Sequence, residues 1–209
     1  AEMGIERFII NTSHLHEAFE VAFPDHEWNG IALEFVHEPE RLETGTGLKN
    51  IEPLLDPNEP LLIYNSDVLT DLPLDELIRG HHEMGRPLVT LASSLAGNDL
   101  HLLTDGGNRL LKVDRSADAP PGFRYQFLGI SIIEPGFLNF LQKETPESLI
   151  HGWARALEAD PDSVRTWEIS QGRWQDIGTL SAYESIRDSG LNHHSLSLNK
   201  PSGTADRDS

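Results

Sequence analysis

Two aspartates of this chain stand where an apolar run gives way to polar residues. In "LLIYNSDVLTDLPL", residues 61 to 74, a buried-strand pattern ends at Asn65-Ser66-Asp67. In "RWQDIGT", residues 173 to 179, Trp174 closes an apolar strand, Asp176 follows, and Gly178-Thr179 open a helix with Thr179 as its cap. Ligands of open α/β sheets bind outside the carboxyl ends of strands. A carboxylate placed there can hold Mg²⁺, which takes one or two protein carboxylates together with substrate phosphates. The same position also suits an Asx-turn or a helix cap. Neither aspartate alone separates the two roles, but two at strand exits can converge on one ion.

A third feature is "LETGTGLKN", residues 42 to 50. Glycines ahead of a helix N-terminus let backbone N–H groups approach a phosphate or a base edge. The spacing is not that of a P-loop, and Asn50 stands where a G-x-G-x-x-G run needs its third glycine. On spacing alone an ordinary glycine turn is the better reading. The ten histidines form no H-x-x-x-H or H-E-x-x-H pair, which argues against zinc. His81-His82 and His193-His194 are expected to be solvated. There is no G-x-S-x-G elbow to support a serine hydrolase.

The elements that must position these residues alternate. Strands are expected at 7–11, 31–38, 60–65 and 87–94, and helices at 14–23, 47–55 and 74–84, the middle one interrupted by Pro53. That order implies a mainly parallel sheet covered on both faces. The second half is more antiparallel, with a hairpin around Asp105-Gly106-Gly107-Asn108 and a long strand over 124–135. A helix at 146–158, a short strand "VRTWEI" and a helix "LSAYESIRDSG" complete the pattern. Residues 1–191 then form one α/β domain of the doubly wound, mixed-sheet kind, and the polar stretch 192–209 is expected to be disordered.

Composition narrows the classes further. A formal charge of −18 and a pI near 4.8 disfavour nucleic acid and anionic membranes as partners. An anionic ligand would need a local device, such as a metal, to overcome that field. With no cysteine, disulfides and thiolate catalysis are excluded. No apolar run approaches the roughly 20 residues of a membrane span. "AEMGIERFIIN" lacks the pattern of a signal peptide, so a cytoplasmic location is expected.

Together and in order, these pieces resemble the sugar-1-phosphate nucleotidylyltransferase family over most of residues 1 to 190. "GIERFIINTSHLHEAF" is similar to its second-strand unit, "HEPERLETGTGLKNIEPLL" to its base-contacting loop and helix, and "LLIYNSDVLTD" to its N-G-D-V-x-x-D segment. "FLGISIIEP" is similar to its sugar-site strand and "RWQDIGT" to its W-x-D-I-G-T. The E-T-G-x-G form lies nearest the branch of N-acetylmuramate-1-phosphate uridylyltransferase and mannose-1-phosphate guanylyltransferase. The resemblance implies a Rossmann-like fold of the nucleotide-diphospho-sugar transferase type and Mg²⁺ held by Asp67 and Asp176. It implies a nucleobase pocket lined by Gly45 and Gly47 with Glu38 nearby, Ser66 beside the nucleotide, and Gly129 admitting the sugar. The implied substrates are an NTP and a sugar-1-phosphate, the products a nucleotide-sugar and pyrophosphate; a homo-oligomer is compatible with it.

Departures from the family pattern carry expectations of their own. Ser66 replaces the usual glycine, and the E-K-P segment that supplies the sugar-phosphate lysine is missing. Nothing in the chain matches the family's opening strand, its G-x-G-T-R loop around the triphosphate, or its P-K-P lysine. A sheet lacking that strand is expected to show a gap with two exposed inner edges, and the chain alone to be inactive. Two other readings stay open: a metal-dependent glycosyltransferase, against which W-x-D-I-G-T argues, and a non-catalytic nucleotide-sugar-binding or regulatory subunit.

Overall fold

The structure, a computed structural model, describes residues 4 to 188 except 41, 98, 100 and 115 to 123. The expected 192–209 tail and His193-His194 lie outside the described residues. Three sheets organise the fold. The first is built from β1 (Arg7–Thr12), β2 (Glu27–Trp28) and β3 (Ile31–His37), with β1 parallel and β2 antiparallel to β3. Helix α1 (His16–Ala22) lies across it, Phe19 and Phe23 leaning on Phe35. Helix α2 (Thr44–Asn50) and a 3₁₀ turn at Glu52–Leu54 lead out of this unit. The helix expected at 47–55 therefore starts earlier and ends before Pro53, whose ring cannot continue an α-helix interior.

The main sheet contains β4 (Leu61–Tyr64), β6 (Val89–Ser94), β7 (Leu102–Thr104), β8 (Leu110–Val113), β9 (Arg124–Ile133) and β10 (Val164–Glu168). The small β5 (Val68–Thr70) and β11 (Trp174–Asp176) pair with each other as a separate ribbon. The helices of this half are α3 (Leu74–Glu83), α4 (Leu149–Ala159) and α5 (Leu180–Asp188). The expectation of a mainly parallel sheet is corrected here. Among the described strands parallel pairing is confined to β1–β3 and β6–β10, because the long β9 runs antiparallel to β4, β6 and β7 through the middle.

Both faces of the main sheet are covered, which is why its strands read as continuous apolar runs. Val89 and Leu91 of β6 join one core with Ile133, Phe137 and Trp153, while Ala92 joins the other with Leu77, Ile130 and Ile132. The buried Leu149, Gly152, Trp153 and Ala156 put one stripe of α4 on the first core. Ser148 caps that helix by accepting the Ile150 N–H. On the other face α3 approaches so closely at Gly80 that a Cβ there would lie 2.1 Å from the Trp167 ring.

His81 on α3 corrects the expectation of a solvated pair. It is 1% exposed, with Nε2 2.8 Å from Glu134 Oε1 and Nδ1 2.8 Å from the Thr90 hydroxyl, whereas His82 is exposed. Arg86 closes the network with Nε and Nη2 on Glu134 at 2.8 and 3.0 Å. The sequence spacing of histidines says nothing about which one a helix turns inward.

The expectation of a break in the sheet meets two separate sheets here. Among the described strands, β1 pairs only with β3 and β4 only with β9, leaving each with one unpaired edge.

Candidate active site

The ribbon of β5 and β11 brings the two aspartates together. Asp176 lies opposite Val68, the neighbour of Asp67, and the Ile177 N–H donates to the Asp67 carbonyl at 2.7 Å. Trp174 thus opens a strand rather than closing one; its indole N–H donates to the Leu128 carbonyl at 2.7 Å and ties the ribbon to β9. A Cβ at Gly178 would stand 3.1 Å from both Asp67 Oδ2 and Asp176 Oδ1. The two oxygens are therefore separated by no more than twice that distance, and even a methyl at Gly178 would press on both.

Both aspartates are exposed. Asp176 Oδ1 accepts the Gly178 N–H at 2.7 Å, the turn role open to an aspartate in that place. Thr179 caps α5 as its place before the helix predicts, accepting the Ala182 N–H at 3.2 Å. No group of three or more His, Cys, Asp or Glu converges among the described residues. A bare pair of carboxylates around an open cradle fits Mg²⁺, which fills its shell with water and phosphate oxygens.

Gly129 sits behind this ribbon. Its φ is +74°, and a Cβ would approach Val68 Cγ2 to 2.7 Å and Asn65 Cβ to 3.3 Å. The Asn65 N–H donates to the Gly129 carbonyl at 2.9 Å. Gly129 thus lets β9 press against the turn that carries Asp67. Ser66 lies exposed in that same turn.

Glu38, Gly45 and Gly47 form a second group, at the exits of β1 and β3. The glycines lie within α2 itself rather than in a loop before it. The reason is a strong docking contact: the Gly45 and Thr46 N–H groups donate to the Glu147 carbonyl at 2.8 and 3.2 Å. The buried Thr46 hydroxyl bridges on, donating to the Thr145 carbonyl at 2.8 Å and accepting the Glu147 N–H at 2.9 Å. A Cβ at Gly45 would meet the Glu147 carbonyl oxygen at 2.8 Å, so the close approach there is to this backbone. Glu147 is held in turn by Arg155 Nη2 at 2.6 and 2.8 Å.

Gly47 faces the strand exits. A Cβ would lie 2.9 Å from Asn11 Nδ2 and 3.0 Å from Glu38 Oε1, and Asn11 Nδ2 donates to that oxygen at 2.7 Å. Burial pushes the Glu38 carboxyl above its usual range, against bonds from the Leu42 backbone and Asn11 that favour the anion. Asn11, Gly178, Thr46 and the pair Asp71–Arg173 are contributors that the sequence reading missed. Asn11 had a signal: it is the polar residue that ends the apolar "RFIIN".

The fold and the paired carboxylates define an α/β protein with a metal-suited rim at its strand exits. In fold the chain is similar to the inositol-1-phosphate CTP transferase from T. maritima, with a TM-score of 0.68 and 17% identity over 93% of this chain and 76% of that one. It is likewise similar to the UDP-glucose pyrophosphorylase from Acinetobacter baumanii, with a TM-score of 0.66 and 15% identity over 93% and 80% of the two chains. No protein-family model matches the chain.

In sequence it is 28% identical over 182 residues to the mannose-1-phosphate guanylyltransferase of Mycobacterium tuberculosis, covering 86% of this chain and 50% of the relative. It is 27% identical over 179 residues to the catalytic subunit beta of mannose-1-phosphate guanylyltransferase from Danio rerio, covering 84% and 49%. The chain spans about half the length of the curated relatives it matches. These relatives in sequence are mannose-1-phosphate guanylyltransferases, of the family its motifs resemble, and the solved structures share its fold.

Proposed function

We propose that this chain forms the body of a Mg²⁺-dependent sugar-1-phosphate nucleotidylyltransferase, a step of nucleotide-sugar biosynthesis. A phosphate oxygen of the sugar-1-phosphate bonds to the α-phosphorus of an NTP, the bond from that phosphorus to the β-phosphate oxygen breaks, and pyrophosphate leaves with its electron pair. The observation that carries this reading is the pairing of Asp67 and Asp176 around the Gly178 cradle. Those two carboxylates would hold the cation, and Gly178 keeps the space between them clear. When bound, Mg²⁺ offsets repulsion between two anionic substrates and stabilises charge on the transferring group.

The remaining residues position. Gly129 allows the Asp67 turn to sit against the central strand, beside the place assigned to the sugar. Asn11 and Glu38 brace Gly47 at the place assigned to the base. Ser66 narrows the same turn by one Cβ relative to the glycine of the family pattern. In-line transfer depends almost wholly on such positioning and on charge stabilisation.

Mannose 1-phosphate, named by the relatives, with GTP as the guanylyl donor, is the first substrate pair to assay. The assay follows pyrophosphate release across a Mg²⁺ titration, in a chain carrying the family's G-x-G-T-R and P-K-P segment ahead of these residues. Asp67→Asn and Asp176→Asn should each lose turnover at low Mg²⁺ with the fold intact. Wild-type turnover by both variants at low Mg²⁺ would sink the two-carboxylate site. Sugar transfer to an acceptor, without pyrophosphate, would point instead to a glycosyltransferase.

A further inference from the structure

The ribbon that pairs the two aspartates is only three residue pairs long: Trp174 opposite Thr70, Gln175 opposite Leu69 and Asp176 opposite Val68. So short a ribbon specifies its register weakly. A slip of one residue would turn Asp176 to the other face, and a slip of two would carry it about 7 Å along the strand. At the aspartate end the Ile177 N–H on the Asp67 carbonyl closes the ribbon, and a denser set of bonds closes the other end.

There Arg173 and Asp71 are joined through both side chain and backbone. Arg173 Nε and Nη2 reach Asp71 Oδ2 at 2.8 and 2.6 Å, and the Arg173 N–H donates to Asp71 Oδ1. In return the Asp71 N–H donates to the Arg173 carbonyl at 3.2 Å, and that carbonyl also accepts the Thr70 hydroxyl at 2.6 Å. Gly172 makes the approach possible: its φ is +91°, and a Cβ would stand 3.0 Å from Leu72 Cα and 3.1 Å from the Asp71 carbonyl oxygen. The Arg173 side chain is 62% exposed, and exposed pairs of this kind add little to global stability. What so many bonds across one junction do supply is geometry.

We propose that Asp71 and Arg173 are a positioning pair whose clamp sets the register of β5 on β11, and with it the separation of Asp67 and Asp176 at which a divalent cation is held. The metal part of this inference rests on the two-carboxylate reading above; the register part does not.

The cysteine-free chain allows a direct register test. Leu69→Cys and Gln175→Cys, introduced together, lie directly opposite one another, within the reach of a disulfide. Cross-link yield under a fixed oxidant is compared with and without Asp71→Ala or Arg173→Ala. Mn²⁺ alone, followed by electron paramagnetic resonance, reports cation affinity without the cysteines. The clamp predicts a lower cross-link yield and a Mn²⁺ affinity reduced about tenfold in each alanine variant, with the melting temperature little changed. Arg173→Lys should recover part of both. If an alanine variant does not fold, Arg173→Lys and Thr70→Val carry the same comparison. Unchanged cross-linking, or reduced cross-linking with unchanged Mn²⁺ affinity where Asp67→Asn does weaken it, overturns the proposal. If cross-linking falls but the wild type binds Mn²⁺ no better than Asp67→Asn does, the register clamp stands and the metal site is what fails.

Discussion

Asp67 Oδ2 and Asp176 Oδ1 lie at the same distance, 3.1 Å, from the point where a side chain at Gly178 would begin. Residues more than a hundred positions apart in the chain thus share one small space, kept open by a residue with no side chain. The site is defined as much by that vacancy of bulk as by its charges.

Gly178→Ala should therefore act like the loss of a metal ligand. The added methyl occupies the cradle, while the exposed position has no core contact to disturb. In a chain carrying the G-x-G-T-R and P-K-P segment, Mg²⁺-dependent pyrophosphate release should fall by an order of magnitude or more, about the effect of mutating a metal's supporting shell, at an unchanged melting temperature. An alanine variant with the Mg²⁺ requirement of the wild type would remove the cradle from the mechanism.

Gly47→Val should weaken nucleotide binding more than sugar-phosphate binding. Its Cβ must push aside Asn11 Nδ2 and Glu38 Oε1, both at or within 3.0 Å. Gly129→Val should show the opposite preference and also lose stability, because its positive φ and the 2.7 Å approach to Val68 both exclude a side chain. Calorimetry with each ligand separately checks the division, and equal losses for both ligands in both variants would contradict it.

Residues 1 to 209 by themselves should release no pyrophosphate from GTP and mannose 1-phosphate. These residues contain no counterpart of the G-x-G-T-R loop or the P-K-P lysine, and among the described strands β1 and β4 each present an unpaired edge. Supplying a segment with those motifs ahead of residue 1 should restore turnover. Robust transfer by the purified chain alone would refute this dependence.

Acid should loosen the α3–β6 junction before it reaches the carboxylates. Burial holds the His81 imidazole below its ordinary value of 6.5, outweighing the pull of Glu134 in the other direction. A depressed folded value means that its contribution is complete above 6.5 and is withdrawn as pH falls from there to the folded value. Glu134 and Glu147 lie below their usual values: burial works to raise each, but bonds from Arg86 and His81 on the first and from Arg155 and the Gln142 backbone on the second prevail. Their contributions are lost only below 4.5, in a separate window. Denaturant midpoints measured at a series of pH values should fall just below 6.5 in the wild type and stay flatter in His81→Gln. Parallel curves for the two proteins would show that His81 does not govern that window.

Much of this protein was legible in its residues because the signals are local. Apolar runs such as "PLLIYN" and "PLVTLASS" mark strands whatever they pair with, and Asp67 announces itself by standing where such a run gives way, whereas Asp176 ends the short strand that Trp174 opens. The motif order was enough to point to the family of the relatives that the chain resembles in sequence. Pairing direction was not legible, since "RYQFLGISII" reads the same whether its neighbours run parallel or antiparallel, and only the sheet shows β9 antiparallel to β4, β6 and β7. Burial of one histidine in His81-His82 depended on which face α3 turns to Thr90 and Glu134. The meeting of Asp67 with Asp176 needed a ribbon between distant segments, and the Thr46–Glu147 and Asp71–Arg173 contacts join residues about a hundred positions apart. Periodicity and spacing act over a few residues, so the tertiary structure alone decides such contacts, by closing the chain on itself.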